Sequence, residues 1–386
     1  MEALKERQYH ERTDKEFTGS SFLQRFRILN WLLIKFFDLI CLITRRLFSN
    51  KDKCKKTIAI ISLHRLGDTV FTIPAIREIF NHYKDYKVFI ICYLASKTIY
   101  EIEIKEEQII PVGKNEFKVG RRIASFKTKL IIKDIKPEII FDITGTAASA
   151  SLVFNSAAIK IIGMNIRYFK NIYTNYIPIR ALPHFMDIYM DVVRQVISID
   201  SVEKRYEFKT IKNGKSKLLI HPFAIRKSKE WKLNRFIRIA TILNKSYDVE
   251  FISPPGFLED FELEEIQILK ISLTITDTVE DMIQKIKECS LFISNDSGPV
   301  YIASLLGRPT FTIYGPTNPE YSFPFGENHR FIWKQLKCSA ENDKFCFTLG
   351  GINCPSNECM ILLTEEDVLE SIENFLEELG VDKLSK

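Results

Sequence analysis

FISNDSGPVYIASLLGRPTFTIYGPTNP, residues 292–319, is the stretch whose reading decides the fold. A short apolar run (Leu291–Ser294) reads as a buried strand, followed by a tight turn, a helix, and a second strand over Thr310–Tyr314. Asp296-Ser297-Gly298 falls where the helix begins, and Pro299 is assigned to its first position, where a missing N–H costs nothing. Backbone donors at a helix start point outward and carry the positive end of the dipole, so this turn can hold a phosphate. The plainer alternative is that Ser297 caps a helix.

The same alternation extends in both directions. In the C-terminal half the spacing predicts strands at Leu218–His221, Asp248–Ser253 and Ser272–Thr276, and helices at Asn234–Lys245, Leu258–Leu269 and Val279–Glu288. In the N-terminal half, Thr57–Leu63 (TIAIISL) is an uninterrupted apolar run of strand length, as a buried parallel strand should be. Lys87–Tyr93 and Glu138–Ile143 follow, then Ile159–Tyr168 as a strand and turn. Lys209–Lys217 (KTIKNGKSK) is polar and Gly-containing, a linker by composition. The expected organisation is an N-terminal extension (1–56), two α/β domains (57–212 and 213–363) and a terminal segment (364–386) whose Glu365–Leu379 reads as an amphipathic helix. Both domains are expected to be doubly wound, facing a cleft.

Apolar content of 46% and charged content of 27% over 386 residues describe a globular chain long enough for two domains. The net charge of +6 is localised: residues 1–56 hold 13 Lys and Arg against 7 Asp and Glu, which leaves 42 of each sign elsewhere. No basic platform with interleaved aromatics appears, which argues against nucleic acid. From Phe22 to Phe48 the chain has no Pro and no Gly. On a helical projection Gln24, Arg27, Lys35, Asp38, Arg45 and Arg46 share one arc and most of the rest is apolar. Lys35 and Asp38 interrupt the run too much for a spanning helix. A basic amphipathic helix lying on an anionic membrane fits the pattern; packing on the protein's own body is the alternative.

Further residues carry candidate chemistry. Asp68, in His64-Arg65-Leu66-Gly67-Asp68, stands at the carboxyl end of the first strand, where open α/β sheets place ligands; it is a candidate base or a helix N-cap. Lys229, in HPFAIRKSKEW, can reach a diphosphate. Lys114, Lys118, Arg121, Arg122, Lys127 and Lys129 form a basic run, a solvated face or a docking surface for a phosphorylated acceptor. Cys338, Cys346, Cys354 and Cys359 cluster late, with seven, seven and four intervening residues, a spacing unlike a standard zinc knuckle. Structural zinc and free or redox-sensitive thiols both stay open there.

RLGDTVFTIPAIREI, HPFAIRKSKEW and SNDSGPVYIASLLGRPTFTIYGPTNP, in this order and at these separations, resemble glycosyltransferase family 9, the ADP-heptose:lipopolysaccharide heptosyltransferases. The similarity covers roughly residues 57–375. It implies a GT-B fold, with the acceptor on the N-terminal domain, the nucleotide-sugar, ADP-heptose, on the C-terminal one, and the terminal helix (364–386) crossing back to the first domain. It further implies inverting transfer without a catalytic metal or other cofactor onto a lipopolysaccharide-core or related glycolipid acceptor, at the inner face of the cytoplasmic membrane. The chain has no Asp-x-Asp, in keeping with that. Carried over, Asp68 matches the general base, Ser297 and Gly298 the diphosphate turn, Asp296 the acid before it, and Lys229 the lysine preceding the Trp. A nucleotide-contacting acid would be Glu259 or Asp260. Tyr301 departs from the His found in many members. Another nucleotide-sugar, or a catalytically silent GT-B scaffold, are the alternatives at this stage.

Overall fold

The computed structural model of the chain describes residues 27–49, 54–118, 123–164, 167–180, 184–199, 206–210, 216–339, 346, 354 and 356–384. The chain divides into two compact units, Met1–Asp200 and Ser201–Lys386. The division precedes the polar linker, because Tyr206 and Phe208 are buried and the Tyr206 ring packs 5.0 Å from Phe325 of the second unit.

The first unit begins with α1 (Arg27–Phe48), then β1 (Lys55–Ser62), α2 (Leu66–His82), β2 (Lys87–Tyr93), α3 (Lys97–Glu101) and β3 (Ile109–Val112). A two-stranded ribbon, β4 (Phe117–Lys118) and β5 (Ile123–Ala124), leads into α4 (Phe126–Ile135), β6 (Pro137–Asp142), α5 (Ala147–Val153), β7 (Lys160–Met164), β8 (Asn175–Ile177) and α6 (Phe185–Arg194). The other six strands form one parallel sheet in the order β3-β2-β1-β6-β7-β8. β1 lies at its centre and is buried from Thr57 onward, which is why its sequence shows no polar alternation.

The second unit repeats this plan. β9 (Lys217–His221), α7 (Leu233–Leu243), β10 (Asp248–Ser253), α8 (Asp260–Ile268), β11 (Ser272–Ile275) and α9 (Val279–Glu288) come first. β12 (Leu291–Asn295), α10 (Gly298–Leu305), β13 (Thr310–Tyr314), β14 (His329–Trp333), α11 (Glu358–Ile361) and α12 (Glu365–Leu379) complete it. Its parallel sheet runs β11-β10-β9-β12-β13-β14. In each unit the strand order reverses at one place, between β1 and β6 and between β9 and β12. Open α/β sheets bind ligands outside the carboxyl ends of the strands at such a reversal.

The first and last helices bear on those expectations. α12 was expected to cross to the first domain; its buried Val368, Ile372, Phe375 and Leu376 belong instead to the core formed by Phe236, Leu243, Phe311 and Ile313 of the second unit. For α1 two settings were open, an anionic membrane and the protein's own body, and it is the charged arc that makes polar contacts with the body. Two members of that arc face the first unit: Asp38 accepts from the Asn171 N–H (3.1 Å) and its Nδ2 (2.7 Å), and Arg45 donates to the Tyr173 carbonyl (2.6 Å). Cys41, one turn from each, is buried in the same core as Ala59 and Ile140. Leu32, Phe36, Leu39, Ile43 and Leu47, on the opposite side of α1, are exposed. Residues 22–26 of the expected helix lie outside the described residues.

Candidate active site

In the first unit the reversal places two carboxylates differently. Asp68 is the third residue of α2, in a first turn whose N-cap is Arg65, so Asp68 does not cap the helix. It is exposed, and among the described residues no hydrogen bond or ion pair engages its carboxylate. His64, at the end of β1, packs its ring edge-on against Tyr189 (5.0 Å between centroids), and its Nε2 lies 3.1 Å from the Ile143 carbonyl.

Asp142, the last residue of β6, is fully buried. One of its oxygens accepts from Tyr173 Oη (2.6 Å), the other from the Thr144 and Gly145 N–H groups (3.0 and 3.3 Å). Gly145 has φ +65°, a left-handed conformation that favours glycine. Thr144 Oγ1 in turn accepts from the Leu63 N–H (2.8 Å) and donates to the Ile61 carbonyl (3.0 Å). The ends of β1 and β6 are thereby stitched together through Asp142. Burial raises the Asp142 carboxyl to about 6 despite these donors.

In the second unit the quoted turn behaves as its residues suggest, with two corrections. Ser297 is the N-cap of α10, yet its side chain makes no cap hydrogen bond; its hydroxyl lies 3.2 Å from that of Ser294. Gly298 rather than Pro299 is the first helical residue. No side chain therefore closes the amino end of α10, the arrangement an anion requires. Beside it Asp296 is buried, with Lys229 Nζ 2.5 Å from one oxygen and Tyr301 Oη 2.6 Å from the other. Burial alone would raise this carboxyl; the Lys229 charge and the two hydrogen bonds override it and hold Asp296 below its ordinary value. Tyr301 thus spends its hydroxyl on Asp296, and burial together with that charge pushes its own ionisation far up.

Several residues on this edge carried no mark in the sequence. Asn295 accepts from the Trp231 N–H (2.9 Å) and donates to the Pro222 carbonyl (2.6 Å), while Ser294 Oγ donates to the His221 carbonyl (2.7 Å). These bonds clamp the loop after β9, which carries Lys229 in a 3-10 turn (Lys227–Lys229), onto the turn after β12. Trp231 is buried and donates through Nε1 to the Leu363 carbonyl, so it anchors the loop and does not line a site. Their only signal was that they stand inside the quoted motifs.

Glu259 is the exposed N-cap of α8, and Asp260 is its first residue, just past the carboxyl end of β10. In the basic run Lys127 is exposed on α4, while Arg121 and Arg122 lie outside the described residues. Cys338, Cys346, Cys354 and Cys359 form no disulfide. Burial and the other three thiols push Cys359 up to about 11, and the Ser356 hydroxyl and the Asn357 N–H pull Cys354 down. Among the described residues no three His, Cys, Asp or Glu side chains are grouped to hold a metal ion. The structural zinc considered from the cysteine pattern finds no ligand set among the described residues.

Comparison with known proteins supplies the frame for this geometry. The sequence model of glycosyltransferase family 9 (heptosyltransferase) matches residues 131–350. Lipooligosaccharide heptosyltransferase 2 of Campylobacter jejuni is 24% identical over 324 residues, covering 81% of this chain and 95% of that protein. Lipopolysaccharide heptosyltransferase 1 of Campylobacter coli is 22% identical, covering 82% and 97%. Among solved structures, a family 9 glycosyl transferase from Veillonella parvula superposes with TM-score 0.67 at 18% identity, covering 84% of this chain and 98% of that one. Escherichia coli heptosyltransferase WaaC with ADP-2-deoxy-2-fluoro heptose gives 0.61 at 15%, covering 82% and 99%. The structural matches show a GT-B fold.

The raised Asp142 carboxyl has a consequence for stability. A carboxyl whose folded value lies above its unfolded one stabilises the fold at low pH and loses that contribution as pH rises through the folded value. The stability of the protein in denaturant is expected to carry a term that declines between about pH 4 and 6. Asp142→Asn should lack this term, its stability curve running flatter across that interval. A parent curve and an Asn curve of the same shape would contradict the assignment.

Proposed function

The chain belongs to glycosyltransferase family 9, and on that premise we propose that it transfers heptose from ADP-heptose to a lipopolysaccharide-core acceptor by inverting, metal-independent chemistry. The observation that carries this reading is the Lys229–Asp296–Tyr301 cluster beside the uncapped amino end of α10, at the strand reversal of the second unit. A diphosphate there meets backbone N–H donors, a helix dipole and a lysine whose position is fixed by a buried carboxylate. The names of the relatives, heptosyltransferases of lipooligosaccharide and lipopolysaccharide, support the sugar and the acceptor class.

In this reading the sugar leaves the diphosphate through an oxocarbenium-like state. Charge accumulates on the departing diphosphate, so donors fixed in advance around Ser297 and Gly298 stabilise that state more than the bound donor. Lys229 adds a positive charge, and Glu259 or Asp260 accepts from the nucleoside. Asp68 takes the proton of the acceptor hydroxyl as the new bond forms; its carboxylate is exposed and unengaged, as a base must be before substrate arrives.

Asp68→Asn keeps the size of the side chain at a position that caps nothing. It is expected to melt like the parent, to keep its affinity for ADP, and to lose about 100- to 10,000-fold in kcat. Lys229→Ala should weaken ADP binding along with the rate, and should also melt lower, because it leaves Asp296 buried without its cation. Normal turnover by a well-folded Asp68→Asn enzyme would remove Asp68 from the mechanism.

A membrane-associated acceptor suits α1. No helix among the described residues is long and apolar enough to cross a membrane. The exposed stripe of Leu32, Phe36, Leu39, Ile43 and Leu47, with Lys35 and Arg46 exposed along one flank, has the form of a helix lying in the interface of an anionic bilayer at the cytoplasmic face. Replacing Phe36, Leu39 and Ile43 by Ser spares Asp38, Cys41 and Arg45, which hold the helix to the protein. The triple variant should remain folded and no longer sediment with phosphatidylglycerol vesicles. Undiminished sedimentation would rule this role out.

A further inference from the structure

We propose that the groove between β14 and α12 of the second unit is a saccharide site, separate from the diphosphate turn at α10. The groove is open to solvent and measures about 370 Å³, within the about 300–1,000 Å³ of small-molecule sites. Ile332 and Trp333 of β14 line it, with Lys334 just past the end of the strand. From α12 come Asp367, Glu370, Ser371 and Asn374, spaced i, i+3, i+4 and i+7, so they form one stripe along the helix. The helix is fastened at both ends. Near its start Arg238 pairs with Glu365 (2.9 Å) and Arg235 donates to the Ile361 carbonyl (3.1 Å). Near its end Arg330 of β14 pairs with Glu378 (2.6 Å) and lies 5.2 Å from the Phe375 ring. Trp333 Nε1 donates to the Gly315 carbonyl (2.9 Å), which fixes the indole.

The polar groups of this lining are unspent. Among the described residues no side-chain hydrogen bond or ion pair engages Lys334, Glu370, Ser371 or Asn374, although Lys334 and Glu370 carry opposite charges on the same groove. Together they offer an ammonium, a carboxylate, a hydroxyl and an amide beside a fixed indole. A sugar ring has the matching form: a face of C–H groups for Trp333 and Ile332, and a rim of hydroxyls that each donate and accept. Glu370 and the Asn374 carbonyl accept from such a rim, and Lys334 and the Asn374 amide donate to it. Two carboxylates disfavour a phosphate in the same place. A metal ion finds no group of three ligands among the described residues. The choice of a glycan as ligand rests on the saccharide acceptor of the proposed function.

The chain holds three tryptophans, so isotope-labelled tryptophan gives three indole N–H signals in nitrogen NMR, and Trp333→Phe identifies that of Trp333. Lipopolysaccharide-core oligosaccharide, freed of lipid by mild acid, is titrated to millimolar concentration into the full chain with ADP saturating. The Trp333 signal should move along a saturating curve. Glu370→Ala and Asn374→Ala replace exposed residues of α12 by a good helix former, and should match the parent in melting temperature and ADP affinity. Each should need about tenfold more oligosaccharide for the same shift. A Trp333 signal that stays in place overturns the proposal, as does a shift that both variants keep at the concentrations of the parent. Kinetics then assign the source of the sugar. A raised acceptor KM with unchanged kcat in the two variants makes it part of the acceptor chain; an unchanged KM beside the lost shift makes it a separate glycan, and either sustains the site. Absence of heptose transfer by the parent would defeat the proposed function and leave the Trp333 titration readable, so the two readings fail separately.

Discussion

A carboxylate taken out of water needs a partner, and the second unit is arranged around one such carboxylate. Asp296 is nearly inaccessible, and an unpaired charge in that position would cost several kcal/mol. Two separate elements answer it, Lys229 from the loop after β9 and Tyr301 from α10. Satisfying Asp296 therefore fixes the loop, the turn and the helix relative to one another. Asn295 repeats the clamp one residue earlier, through the backbone on either side of the same loop. What results is a lysine and a set of helix-terminal N–H groups held still before any ligand binds, which is what electrostatic stabilisation of a developing charge requires.

The first unit meets the same constraint with a different outcome. Asp142 is as deeply buried, but its donors are a tyrosine hydroxyl and two backbone N–H groups, with no cation. Its carboxyl consequently rises to about 6, where that of Asp296 falls. Asp142 thus acts on the turn that faces His64, while Asp68 is exposed and, among the described residues, unpaired, which suits the base proposed for it. Tyr173 links this edge to α1 as well: its hydroxyl holds Asp142, its carbonyl takes Arg45, and its ring lies where any side chain on Gly163 would have to be.

Central parallel strands were legible because both their faces are buried, so Lys87–Tyr93, Asp248–Ser253 and Thr310–Tyr314 stand out as apolar runs with the ends the structure gives them. β3 contains Pro111, β8 has three residues, and β14 (HRFIW) opens on two polar ones; edge and near-edge strands like these lack that signature. The period of α12 showed a helix with one apolar face but could not say which core that face joins. In α1 the charges of Asp38 and Arg45 looked like a water-facing arc, yet both are bound to the 3-10 turn Arg167–Ile172 and the residue after it. At the site, helix-start chemistry located Asp296, Ser297 and Gly298 from local sequence alone. Asn295, Ser294 and His221 were silent, because their bonds join segments more than 60 residues apart and no periodicity records such a pairing.

The central claim is that the amino end of α10, kept open beside a clamped lysine, receives the diphosphate of the donor. Hydrogen exchange of the backbone N–H groups from Asp296 to Tyr301, followed with and without saturating ADP, measures this directly. The account predicts marked slowing in that segment and in the Lys227–Lys229 turn, with much less in Lys229→Ala at the same ADP concentration. ADP binding that leaves exchange in both segments unchanged would contradict it.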